Sequence, residues 1–232
     1  KQKAIAATCA VAFWLLVWHV VSLCVGSELV LVSPVKVVQT LFTVIFDPDF
    51  LKTVWYSAAR ILGGFFTALT LGTVLGWVAS RFWVVETLLR PITAVIKATP
   101  VASFIILVLL WFSGKNLSVI ISMLMVFPVI YMNVLEGIRS ADEKLLEMAQ
   151  VFRLSVGKKL LYIYLPAVAP FFVSACSVSL GLCWKSGIAA EVIGTPDGSI
   201  GAVFYQAKIF LQTSELLAWT VVVVAVSVAF EK

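Results

Sequence analysis

Four stretches of this chain, residues 4–26, 61–80, 116–135 and 165–184, run for at least twenty residues without a charged side chain. A helix rises about 1.5 Å per residue, so about 20 apolar residues cover the roughly 30 Å hydrocarbon core of a bilayer. Residues 98–113 form a shorter fifth run that can extend upstream past Lys97, and residues 216–230 form a sixth. Unpaired backbone amides in hydrocarbon cost several kcal/mol each, which leaves helices or a closed barrel. A barrel would show short alternating strands, and these runs are long and continuous. Composition agrees: 62% of residues are hydrophobic and 12% charged, against about 25% charged in a soluble domain. The expected fold is an all-α membrane protein of about six transmembrane helices, a single transmembrane domain over residues 1–232.

The basic residues set the expected orientation, because cytoplasmic loops carry an excess of Lys and Arg. With the N-terminus inside, the cytoplasmic segments hold Lys1, Lys3, Arg81, Arg90, Lys97, Arg139, Lys144, Arg153, Lys158, Lys159 and Lys232. The outer segments hold Lys36, Lys52, Lys115 and Lys208. Both termini are therefore expected in the cytoplasm. The same distribution argues against nucleic acid as a partner of this net +5 chain, since its basic residues sit between apolar spans and not on one polar face. The first run exceeds the 7–15 apolar residues of a signal peptide and reads as a retained helix.

Between the first two runs, Ser33-Pro34 opens a helix well and Asp47-Pro48-Asp49 stops it; this short segment is expected along the outer interface. Gly72 and Gly76 have the small-residue spacing that lets two helices approach closely. Cys9, Cys24, Cys176 and Cys183 read as small buried thiols, His19 as a satisfied interior or interface residue, and a metal site lacks ligands.

The longest cytoplasmic loop, residues 136–166, carries an amphipathic helix. Leu145, Leu146, Met148, Ala149 and Phe152 form an apolar stripe, with Glu143, Lys144, Glu147, Gln150 and Arg153 on the remaining face. Such a helix either rests on the membrane or docks into a groove on a cytoplasmic partner. Lys185 and Glu191 continue the run that ends at Trp184. A charge at the bilayer centre costs roughly 2.5–3.5 kcal/mol on insertion scales, so both should face the bundle interior, a wet cavity or the outer interface. One reading has Lys185 lining a pathway for an anionic substrate, with Trp184 as a wall and Glu191 nearby; the other makes these residues structural. Gly194-Thr195-Pro196-Asp197-Gly198-Ser199-Ile200-Gly201 reads as an outer loop.

The loop also carries Glu147-Met148-Ala149, Arg153 four residues on, and Ile163-Tyr164-Leu165-Pro166. This spacing resembles the cytoplasmic motif of ABC importer permeases: E-A-A, three residues, G, nine residues, I-x-L-P. Met148 replaces the second residue and Arg153 the glycine, with Gly157 left to supply flexibility. Trp111-Phe112-Ser113-Gly114, Gly137-Ile138-Arg139-Ser140, and Leu180-Gly181-Leu182-Cys183-Trp184 followed by Ala189-Ala190-Glu191 look like the nitrate/sulfonate/taurine-type permeases.

The resemblance implies a bacterial inner-membrane subunit that pairs with a second copy, binds two cytoplasmic ATPase subunits, and receives solute from an extracytoplasmic binding protein. Members are associated with sulfonates, taurine, nitrate, bicarbonate and heterocyclic vitamin precursors. Its ATPase-coupling residues would be Glu147, Met148, Ala149, Phe152, Arg153, Gly157, Leu165 and Pro166, with Glu147 the charged contact. No catalytic residue and no cofactor is expected in this chain. ATP and Mg would belong to the partner, because Val156-Gly157-Lys158-Lys159 lacks the upstream glycine and the Ser/Thr of a phosphate loop. A membrane-embedded enzyme would need a titratable cluster within the spans, and an ion-coupled carrier or channel would show matching broken helices.

Overall fold

In the computed structural model, which describes residues 2–231, every regular element is helical. Lys1 and Lys232, and the side chain of Lys3, lie outside the described residues. Helices α1 (Gln2–Val25), α3 (Phe50–Arg81), α6 (Gly114–Arg139) and α11 (Thr213–Glu231) are long enough to cross a bilayer. So is α9 (Leu165–Gly194), with the short turns that precede it. A bent pair, α4 (Trp83–Ala98) and α5 (Val101–Trp111), brings the possible spans to six. Trp14, Leu16, Phe66, Leu110 and Val173 stand exposed on these helices, as lipid-facing side chains do.

The bundle is organised around α6, which packs between α3 and α9. A Cβ on Gly64 would meet the Val119 carbonyl oxygen at 2.3 Å, and one on Gly76 would meet the Tyr131 carbonyl oxygen at 3.0 Å. These positions, with Gly72 against Ile130, lie on one face of α3 and set it parallel to α6 at close range. On the other side Gly137 abuts Val168 and Gly114 abuts Gly194, so α6 and α9 are antiparallel. Ile61, Phe65, Val126, Ile130 and Trp184 fill the space between them.

The fifth span differs from expectation. Residues 83–98 do not continue into 101–111 but meet them at a 110° bend. Pro100 has no N–H to donate and disfavours helical backbone at the residue before it; Thr99 is extended, at φ −83° and ψ 132°. At about 16 Å, α5 alone cannot cross the membrane, so the pair together returns the chain from the end of α3 to the start of the parallel α6.

The second span begins at Phe50, eleven residues before its apolar run, and carries Arg60 inside the helix. The guanidinium sits 5.2 Å from the Tyr56 ring centre, and its Nε donates to Ser118 Oγ at 3.4 Å. Ser33 caps α2 (Pro34–Ile45) by accepting from the Lys36 amide. Cys183 is buried, but Cys9 and Cys24 are exposed on α1, which packs only lightly on the bundle. His19 is half-buried and its Nδ1 has no hydrogen-bond partner.

Candidate functional site

The loop that leaves α6 is anchored before it turns. Arg139 at the end of α6 donates from Nη2 to Glu86 Oε2 on α4. Asp142 then caps α7 (Glu143–Val151), its Oδ1 accepting from the Lys144 amide at 2.8 Å. A nine-residue helix is marginal alone, so packing must hold it. Ala149 is 0% exposed and sits with Leu146 against Ala141, Leu154, Ile163, Tyr164 and Ala167.

This packing splits the expected stripe. Leu146 and Ala149 face the bundle, whereas Leu145, Met148 (45% exposed) and Phe152 (73% exposed) point away from it. At 100° per residue, positions 146 and 149 share one face and positions 145, 148 and 152 the next, so one apolar arc serves two directions. Val151 and Val156 extend the outward patch, and both are largely exposed. Sequence periodicity missed them, because Val151 falls off the 145/148/152 spacing and Val156 lies beyond α7. Glu147 is exposed beside the patch.

The end of α7 explains the motif. The Leu154 amide donates to the Ala149 carbonyl at 2.9 Å and the Arg153 amide to the Gln150 carbonyl at 3.0 Å. These two bonds, with Leu154 packed near Ala149, make a Schellman cap. Its left-handed residue is Arg153, at φ 46°. Glycine suits this position because only glycine adopts it without steric cost. Gly157, expected from sequence to supply the flexibility of the missing glycine, does not take the left-handed position; it lies within the short helix α8 (Val156–Lys159) with open space around it.

Arg153→Gly should therefore raise the unfolding midpoint. The left-handed penalty of a side-chain-bearing residue is about 1–2 kcal/mol, offset partly by the greater freedom of unfolded glycine. The expected net gain is roughly 0.5–1 kcal/mol, or about 2 °C, in thermal unfolding of the detergent-solubilised protein. Arg153→Ala, which keeps a Cβ, should show no such gain.

After α8 the chain makes a π-helical turn, Leu160–Tyr164, and enters α9. Pro166 lies in the first turn of α9, where its missing amide matters least. Leu165 and Pro166 are exposed and Ile163 is buried, so the I-x-L-P segment anchors through its isoleucine.

The three residues singled out further along α9 do not converge. Trp184 is 1% exposed, its Nε1 donating to the Val223 carbonyl at 3.0 Å and its ring edge-on to Phe230. It is a core residue and shares no surface with Lys185, a correction that follows from the 100° step between neighbours. Lys185 is exposed, and with Ser177, Val178, Gly181 and Leu182 it lines a shallow cavity of about 490 Å³.

Glu191 is 0% exposed and faces the bundle interior. Its Oε2 accepts from Ser57 Oγ at 2.6 Å and from the Gly201 amide at 3.4 Å, while Ser57 Oγ accepts from the Ile200 amide at 2.9 Å. One carboxylate thus joins α9, α3 and the first turn of α10 (Ile200–Ile209). The loop before α10 turns through left-handed Thr195 and Gly198, and Ser199 caps the helix through the Ala202 amide. Ser57 lies 134 residues from Glu191, so no local pattern announces their pairing.

A polytopic bundle of long apolar helices, with a capped loop offering an apolar patch at one end, defines an α-helical membrane protein. A family model described as the binding-protein-dependent transport system inner membrane component matches residues 68–230, and the chain belongs to that family. Among its relatives is the putative aliphatic sulfonates transport permease protein SsuC of Bacillus subtilis (strain 168), 30% identical over 89% of this chain and 75% of the relative. The taurine transport system permease protein TauC of Escherichia coli (strain K12) is 27% identical over 92% of this chain and 80% of its own length. The nitrate import permease protein NrtB of Synechocystis is 25% identical over 88% and 76%. The chain is accordingly a multi-pass inner-membrane permease of the ABC nitrate/sulfonate/taurine type, a transport subunit and not an enzyme.

Proposed function

We propose that this chain forms half of the membrane pathway of an ATP-driven importer, with residues 136–166 in the cytoplasm as the docking point for a separate ATPase. The observation that carries this reading is the outward patch of Leu145, Met148, Val151 and Phe152 on a helix held at both ends. A helix lying free on the membrane would turn its whole apolar arc toward lipid. Here Leu146 and Ala149 are held against the bundle while Leu145, Met148 and Phe152 are turned outward, the orientation that insertion into a groove requires. Glu147 beside the patch supplies the charged contact. Each of two permease copies would hold one ATPase subunit, which binds the ATP and Mg.

The second copy fits the Lys185 face of α9, where Ser177, Gly181 and Lys185 recur every four residues. Small side chains there admit a close neighbour and leave Lys185 facing the space between copies. Its cation would attract a small anionic or polar solute released by an extracytoplasmic binding protein. Sulfonate and nitrate, named for the relatives, carry the charge such a site selects.

Co-purification with the ATPase, and uptake that stops without it, are the expected results; uptake that persists without any ATPase would show an ion-coupled carrier or channel instead. Lys185→Ala should lower uptake of an anionic solute by roughly tenfold, the worth of about 1.4 kcal/mol of charge attraction. Lys185→Arg should retain most of it. Unchanged uptake in Lys185→Ala would remove this residue from the pathway.

A further inference from the structure

At the end of α3, a cavity of about 690 Å³ opens between that helix, α7 and the turns leading into α9. Arg81 and Lys159 are among the residues that line it, and no carboxylate does. Neither cation takes part in a salt bridge among the described residues. Two like charges facing one cavity repel each other, and an anion between them would relieve that cost.

The rest of the lining says which kind of anion. Trp77 and Tyr164 stand beside the cations, amphipathic rings of the sort enriched at membrane interfaces, and Val78 and Leu160 add apolar wall. Arg81 is the last residue of a membrane-crossing helix, where its charge reaches headgroup level. A soluble anion has no use for the apolar wall; a phospholipid uses both parts.

We propose that this cavity seats an anionic phospholipid, its phosphate between Arg81 and Lys159 and its acyl chains along Val78 and Leu160. Leu146 and Gln150 of α7 line the same cavity, so the lipid supports the docking helix from its bundle side. The placement in the cytoplasmic leaflet rests on the orientation proposed above.

Native mass spectrometry of the purified chain, loaded with phosphatidylglycerol or phosphatidylcholine, tests the site. Phosphatidylglycerol should be retained in clear preference. The double variant R81Q/K159Q should weaken its retention roughly thirtyfold, to the level of phosphatidylcholine. R81K/K159R should keep the preference, as should R90Q/K158Q, which removes two exposed basic residues outside the cavity.

Equal retention of the two lipids, or an unchanged preference in R81Q/K159Q, would overturn the proposal. So would complete displacement of phosphatidylglycerol by millimolar inorganic phosphate, which would assign the cavity to a soluble anion. The readout needs neither ATPase nor binding protein. Its failure would leave the transport reading standing, and a failed ATPase interaction would leave lipid retention unchanged.

Discussion

The double substitution of Met148 and Phe152 by aspartate should lower transport-stimulated ATP hydrolysis by roughly a hundredfold while the permease still inserts and folds. Both side chains are exposed and contribute nothing to the buried cores, so removing them leaves the bundle intact. In a docked complex they would be the apolar anchors. An anchor of this kind is typically worth about 2 kcal/mol or more, and a buried unpaired carboxylate adds a further cost. Hydrolysis and uptake in reconstituted vesicles, with co-purification of the ATPase, would be compared with the unaltered chain. Normal stimulation in the folded double variant would refute a docking role for this face. Ala149→Asp makes the contrast, because it buries the same carboxylate within the permease itself and should lower the unfolding midpoint of the isolated chain.

The second large effect concerns the α3–α6 contact. Gly64→Val would drive a Cβ to 2.3 Å from the Val119 carbonyl oxygen and 2.9 Å from the Ser122 Cβ. Backbone cannot rotate aside as a side chain does, so the helices must separate along their packed length. Overpacking of a core usually costs about 1–3 kcal/mol, and this case lies at or beyond the upper end. The expected outcome is loss of monodisperse protein, or a fall in unfolding midpoint of roughly 6 °C or more. Gly63→Val is the matched control: its Cβ would meet nothing within 4 Å, and it should behave like the parent. Equal behaviour of the two variants would show that α3 and α6 do not pack through Gly64.

The apolar runs announced the long helices because burial in hydrocarbon is read directly from composition, one residue after another. Their ends were less legible. Arg60 and Glu191 sit inside helices where a serine from a distant segment hydrogen-bonds one atom of each, and those partners are visible only once the chain is folded. The bend at Thr99-Pro100 was hidden for a different reason: apolarity on both sides said nothing about direction, and only the proline marked the break. In the loop, helical spacing found the amphipathic segment but could not divide its wide apolar arc between bundle and exterior. The spacing of the family motif located the Schellman turn, and the departure at position 153 gave no sign that arginine itself adopts the left-handed backbone. Lys185 and Trp184, adjacent in sequence, were grouped by proximity along the chain and parted by helix geometry.

From Val156 to Gly194 the chain runs as 39 residues of helix, the π turn included. One end grows out of the capped loop; the other carries Glu191, clasped by Ser57 and the start of α10. At about 1.5 Å per residue this continuous helical backbone spans roughly 58 Å. On the coupling proposed above, a shift at the loop would reach the far mouth of the bundle along that backbone, with its give at the π turn and at Pro170.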